Sequence, residues 1–208
     1  DVSHGNLFTY EILGTLWGKL VSNGLKILFA DIISLGEMMA QQIPKALIVI
    51  CPSTSYDSYE ISIVRNYVDL GGKLILIYDP SMVSSMFINS LAQEFGIYFS
   101  DGYLYDLKNN YGVYRNIVLR RFAEHSLVSN VNELTLFTAA HIYGGKLKIA
   151  TTSNDSYLSL TEMAGSYSPI VAADNVIAIG DLTFLLDPFH DISDNDMFLD
   201  NLVKFIKA

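Results

Sequence analysis

ALIVICPSTSYDSYEISIVRNYVDLGGKLILIYDPS, residues 46–81, decides the fold. Its first part, ALIVICPS (46–53), is a continuous β-branched run, the pattern of a strand covered on both faces, and it predicts a buried central strand followed by a Pro-Ser-Thr-Ser loop. Asp57 and Glu60 then stand at capping-box spacing. Ile61, Val64 and Val68 recur on one helical face, and Gly71-Gly72 supplies the stop. KLILIYDPS (73–81) is the next strand, and Asp79-Pro80 predicts an N-cap with proline at the first helical position. Strand, helix and strand with no hairpin between them make a βαβ unit, which belongs to a parallel sheet.

Working outward, the alternation continues in both directions. Upstream lie an amphipathic stretch from about Leu7 to Val21 and the apolar run LKILFAD (25–31), read as a further strand. Downstream, Met82, Met86, Leu91 and Phe95 fall at helical spacing. Residues 98–114 break the pattern: they hold five of the 13 tyrosines and are cut by Asp-Gly, Asn-Asn and Tyr-Gly pairs, which is hairpin punctuation. Strands are predicted near Val113–Arg120, Thr135–Ala139 and Leu147–Thr151, with NVIAIGD (175–181) as a return to the regular pattern. A last helix from about Asp194 places Phe198, Leu202, Phe205 and Ile206 on one face and pairs Asp200 with Lys204. The reading is one α/β domain over residues 1–208, a three-layer, mostly parallel, doubly wound sheet of flavodoxin-like type with a tyrosine-rich β insertion.

Half of the residues are hydrophobic and 17% are charged, which suits a well-buried core. A net charge of −9, with 13 Lys and Arg scattered along the chain, argues against nucleic acid as partner. The single cysteine, Cys51, excludes an internal disulfide and a cysteine-based zinc site. No apolar run reaches the length of a membrane span. The chain opens with Asp1 rather than Met, so the expectation is a piece of a longer protein whose signal or anchor segments lie elsewhere.

Gly-Gly-Lys-Leu-Ile-Leu-Ile after a helix, the ALIVICPS strand before it and the late GDLTFLLDPF, DN and FLDNLVKFI resemble the class I glutamine-amidotransferase-like fold. More narrowly they are similar to its non-catalytic branch, which includes GldG-type components linked to ABC transporters, intraflagellar-transport domains, the Wbp1-type subunit of oligosaccharyltransferase and archaeal domains of unknown function. The resemblance implies that the opening DVSHG follows a first strand completed by residues upstream of Asp1. It also implies a location that is extracytoplasmic or membrane-associated rather than cytoplasmic. Catalytic members carry a nucleophilic Cys on the turn after the strand that corresponds to KLILI, and a His-x-Glu pair late in the chain. Here that turn reads Tyr78-Asp79-Pro80-Ser81, and none of His4, His125, His141 and His190 is followed two residues later by Glu. Cys51, one strand earlier and followed by Pro52, reads as a buried strand-end thiol.

No P-loop, Gly-x-Gly-x-x-Gly or His-Glu-x-x-His is present, and no cofactor is called for. Polar residues gather at predicted C-terminal strand ends, where open α/β sheets bind ligands. The candidate ligand-binding residues are His4 (beside Ser3), Ser53, Thr54, Ser55, Tyr78, Asp79 and Asp181. Against that stand plainer readings, with the Ser/Thr loop as a turn and Asp79 as a helix N-cap. GDLTFLLDPFHDISDN (180–195) divides similarly: Ser193, Asp194 and Asp196 suit a helix start, Phe184 and Phe189 a core or lid, and Asp187 with His190 an alternative metal site. Tyr103, Tyr105, Tyr111 and Tyr114 are candidates for an exposed flap used as a homodimer or partner surface, because tyrosine joins an apolar body to a polar tip. Two function classes follow. One is a non-catalytic binding or scaffolding module with a protein, carbohydrate or small-molecule ligand, at a cell-surface or transporter-linked assembly. The other is a hydrolase, metal-dependent in one form, using Asp181, Asp187 and His190 with His4.

Overall fold

The computed structural model describes residues 1–6 and 10–208, with side chains described for residues 1–6 and 13–208. Helices α1 (Tyr10–Ser22) and α2 (Ile32–Met39) precede strand β1 (Ala46–Ile50); α3 (Ser58–Asp69), β2 (Lys73–Ile77) and α4 (Ser85–Ala92) follow. The strands β3 (Ile97–Phe99), β4 (Leu104–Tyr105), β5 (Asn110–Tyr111), β6 (Val113–Leu119), β7 (Arg121–Phe122), β8 (Leu134–Phe137) and β9 (Ile142–Gly144) come next. After them run β10 (Leu147–Thr151), β11 (Ser156–Leu158), β12 (Met163–Gly165), β13 (Ile170–Ala173), β14 (Val176–Ile179) and the final helix α5 (Asn195–Lys207). Among the described residues no helix is long and apolar enough to cross a membrane.

Six strands form the main sheet in the order β1-β2-β14-β13-β10-β7. β1, β2 and β14 run parallel, whereas β14–β13, β13–β10 and β10–β7 are antiparallel, so the sheet is mixed rather than mostly parallel. The reversal comes from Asp174-Asn175, a two-residue turn with Asp174 at φ 52°, which folds β13 and β14 into a hairpin. β1 lies at the sheet's edge, not its centre. Its apolar run reports that both faces are covered: Leu47 and Val49 join one apolar cluster and Ile50 the other. α1 and α5 pack on the face of Ile75, Ile77 and Ile177; α2, α3 and α4 pack on the face of Leu74, Leu76 and Ala178.

α3 forms as its caps dictate. The Asp57 carboxylate accepts from the amides of Tyr59 and Glu60 while the Glu60 side chain accepts from the Asp57 amide. Three other expectations are corrected. LKILFAD forms no strand: apart from the bonds that close α1 and open α2, its only backbone bond to another segment among the described residues is Val2 N–H to Ala30 O at 3.1 Å, and Leu28 and Phe29 are exposed. α4 starts at Ser85 under a Ser84 cap, which leaves Met82 and Met86 outside its buried face. Asp200 pairs with Lys19 of α1 at 2.6 Å instead of Lys204, while Phe198, Leu202 and Ile206 are buried as the pattern requires. The tyrosine-rich stretch spreads over three small sheets, β3-β9, β12-β11-β4 and β5-β6-β8.

Candidate functional site

The C-terminal ends of β1, β2 and β14 lie side by side, and the loops after them carry most of the polar residues singled out in the sequence. At the first, the His4 carbonyl accepts from the amides of Ser53 (2.8 Å) and Thr54 (3.2 Å), and Ser53 Oγ donates to Gly5 O. Ser55 is exposed beside them. His4 itself is buried: Nδ1 lies 2.9 Å from Asp1 Oδ2, Nε2 lies 3.2 Å from Glu60 Oε2, and the ring stacks on Tyr56 at 3.7 Å. Both ring nitrogens are therefore within bonding distance of carboxylates, which fixes the ring.

Also at the end of β1, Cys51 takes a positive φ of 40° and is fully buried. Burial pushes its thiol pKa up, with the Asp79 charge adding to it. The Tyr78 hydroxyl donates to Val83 O at 3.2 Å, inside the core. Asp79 is not the cap of α4. Its carboxylate, completely buried, accepts from Ser81 N (2.9 Å), Ser81 Oγ (2.6 Å), Thr183 Oγ1 (3.3 Å) and Leu182 N (3.4 Å), and so ties the β2 turn to the β14 turn. Asp181, also without exposed surface, accepts from Phe137 N (2.7 Å) and Thr183 N (2.8 Å). Burial raises its pKa well above the usual carboxylate range and the Asp79 charge adds to that, while the backbone donors pull the other way. A carboxylate with both oxygens bonded and none exposed does not face solvent.

The remainder of residues 180–195 acts on the free edge of β8. Asn195 gives its amide to Thr135 O (2.8 Å) and accepts from Thr135 N (3.1 Å), as a neighbouring strand would. Asp194, at the start of α5, makes no side-chain cap; its carboxylate accepts from Asn132 N and Glu133 N. Ser193 Oγ bonds Thr135 Oγ1 and Glu133. Phe184 is fully buried against Phe198, and Phe189 is half-buried on Phe137. Asp187, His190 and Asp191 converge: one ligand atom from each lies within 4.8 Å of the others, with His190 Nδ1 3.0 Å from Asp191. One imidazole and two carboxylates are a donor set that suits a divalent metal.

Tyr103, Tyr105 and Tyr114 come together with a residue that the sequence reading missed, Tyr157 of β11. Tyr105 stacks on Tyr157 at 5.1 Å and meets Tyr114 edge-on at 5.7 Å and Tyr103 at 6.3 Å. The Tyr105 hydroxyl donates to Glu162, which pushes its pKa up to about 12. Tyr111 stands apart, exposed on the β5–β6 hairpin; Tyr98 faces Tyr143 at 6.4 Å across β3–β9. Asp106, also missed, anchors this region. Burial alone would raise its pKa, but bonds from Asn109 N, Ser153 Oγ, Lys108 N and Ser156 Oγ hold it well below the usual range. The signal was local: Asp followed two and three residues later by amides it can accept from, an Asx turn.

No protein-family model and no curated sequence matches the chain. Among solved structures it is similar to an IFT52 N-terminal domain, with a TM-score of 0.75 and 16% identity over 100% of this chain and 96% of that one. It is also similar to a ThuA-like protein from Bacteroides uniformis, with a TM-score of 0.58 and 11% identity over 97% of this chain and 88% of that one. A GMP synthase component from Thermoplasma acidophilum aligns more loosely, with a TM-score of 0.45 and 14% identity over 92% and 84% of the two chains. The likeness is one of architecture: the chain has a mixed α/β fold similar to those of the IFT52 domain and the ThuA-like protein.

Proposed function

We propose that the chain is a non-catalytic binding or scaffolding module built on the amidotransferase-like sheet. The observation that supports this most is the state of the strand ends: Cys51, Asp79 and Asp181 are fully buried, and both carboxylates are bonded inward. A nucleophile has to reach its substrate as an exposed, activated group, and the Cys51 thiol is neither. What the fold presents instead is the tyrosine ledge of Tyr103, Tyr105, Tyr114 and Tyr157, a surface of the composition that protein partners recognise. The test is ammonia release from glutamine, with wild type and Cys51→Ser both expected at the blank rate. Glutaminase activity that disappears in Cys51→Ser would overturn the reading. Native Cys51 should also react with a thiol reagent only on unfolding.

A second reading rests on Asp187, His190 and Asp191, whose convergence suits a metal-dependent hydrolase. Calorimetric titration with Zn²⁺ or Mn²⁺ separates the two: saturable binding abolished by His190→Ala favours the second reading, and no heat of binding removes it.

A further inference from the structure

Side-chain alternation sorts the small sheet β12-β11-β4 into two faces. Leu104 and Leu158, paired across β4 and β11, are buried and turn into the core. The next row reads Tyr105, Tyr157 and Ala164 across the three strands, and it turns the other way. Among the described residues none of these three joins an apolar core cluster, and Ala164 is exposed. The row is uneven from end to end. β6 lies beside β4, with Asp106 N–H donating to Tyr114 O at 2.8 Å, and brings the Tyr114 ring edge-on to Tyr105; Tyr103, two residues before Tyr105, stands on the same side. Rings therefore pile up at the β4 end, and at the β12 end the surface steps down to a methyl group.

The two ends also carry opposite charges that are not paired within the chain. Arg115, next to Tyr114, is exposed and has no carboxylate within ion-pair distance among the described residues. Glu162, just before β12, is exposed as well; its Oε2 accepts the Tyr105 hydroxyl, and its Oε1 has no partner among the described residues. Tyr103 feels both charges: its pKa is raised, first by the Tyr114 hydroxyl, with Glu162 adding to the rise and Arg115 opposing it. Lys108 and Asp155, at the border of the face, neutralise each other at 2.8 Å. On a chain of net charge −9, this face lets two copies meet with opposite charges opposed.

We propose that the outer face of β12-β11-β4 binds a second copy of this chain about a two-fold axis. The Tyr103, Tyr105 and Tyr114 rings of one copy cover Ala164 of the other, and Arg115 of each copy pairs with Glu162 of its mate. A two-fold contact joins one patch to itself, so every contact occurs twice. A patch with rings and a cation at one end and a methyl and a carboxylate at the other is complementary to itself once turned around. An unrelated partner would need no such match between the two ends. The proposal rests on the reading of the tyrosine ledge as a recognition surface and names its occupant. A face three strands wide is narrow for an interface, so the association falls roughly in the micromolar-to-millimolar range.

The test is sedimentation velocity of the whole chain across a concentration series reaching about 1 mM. Wild type should pass from monomer to dimer. Arg115→Glu and Glu162→Arg should each weaken the dimer about a hundredfold, because each sets like charges together twice, at about tenfold per contact. Combining the two reversals should restore it. Glu162→Gln, which keeps an acceptor for the Tyr105 hydroxyl, should weaken the dimer by removing charge alone. A monomer throughout the series, a dimer insensitive to the reversals, or a double variant weaker than either single one overturns the inference. Each of these outcomes leaves the non-catalytic reading standing, since that reading falls only to glutaminase activity that disappears in Cys51→Ser.

Discussion

Residues 180–195 and residues 98–114 are the two chemically richest stretches of the chain, and they fold in opposite senses. In the first, Asp181, Asp194 and Asn195 turn inward to backbone amides of residues 132–137. In the second, phenol tips are bonded to neighbours while the rings of Tyr111 and Tyr114 remain exposed. Polarity alone therefore does not decide what reaches the surface. A carboxylate or amide is better buried when it meets unfilled amides at a strand edge, and an aromatic ring stays outside when no second layer covers its sheet.

The strongest way to break this comparison is to empty the core beneath the acidic stretch. Phe184→Ala, at a fully buried ring packed on Phe198, should cost about 3–5 kcal/mol in urea denaturation; a loss near zero would mean that the stretch is a mobile lid. Asp181→Ala comes next, at about 2–4 kcal/mol, because the amides of Phe137 and Thr183 lose their acceptor in the interior. Asp187→Ala, on a side chain 82% exposed, should stay within about 0.5 kcal/mol. Equal effects at the two aspartates would erase the distinction between buried and exposed acids.

Acid sharpens the comparison from the tyrosine side. His141 is buried between Tyr143 and Tyr167, accepts from Ser168 N, and has its pKa lowered by burial from 6.5 to about 4. The folded state keeps this ring neutral while the unfolded chain protonates it, so its contribution is intact above pH 6.5 and is lost as pH falls toward 4. The loss should reach at most about 3 kcal/mol at pH 4, and His141→Gln should flatten that part of the pH profile measured by chemical denaturation. The smallest effect on stability belongs to Tyr103→Ser combined with Tyr105→Ser, about 1 kcal/mol or less. Its readout is instead association: sedimentation velocity across a concentration series should show weaker self-association or partner binding with the fold intact, and an unchanged profile would remove the ledge from the functional account.

What could be read beforehand depended on how local the physics was. The capping box of α3, the Gly-Gly stop and the β2 strand are set by neighbours within a few residues, and all were legible. The position of β1 was not, because an apolar run encodes covered faces and says nothing about lateral neighbours. LKILFAD carries a strand's pattern but, among the described residues, forms no strand, for the same reason. At the candidate site, the residues clustering at strand ends were readable from topology, but the bonds from Asp79 to Leu182 and Thr183 span more than 100 residues and left no trace in local spacing. The Asp174-Asn175 turn was legible in principle, as a two-residue polar break between apolar runs, and recognising it would have predicted the antiparallel half of the sheet.

The Asn195 amide on Thr135 has a consequence for the protein in a crowded solution. A bare row of backbone donors and acceptors along a hydrophobic strand templates the addition of other chains, the first step toward fibrils. LTLF, with no charge and no proline, is the kind of segment that does so when uncovered. By laying one side-chain amide along that row, with Asp181 at its far end and Asp194 beyond its near end, the chain shields this strand edge with its own C-terminal helix start. Fraying of α5 would then expose an adhesive edge before the core itself came apart.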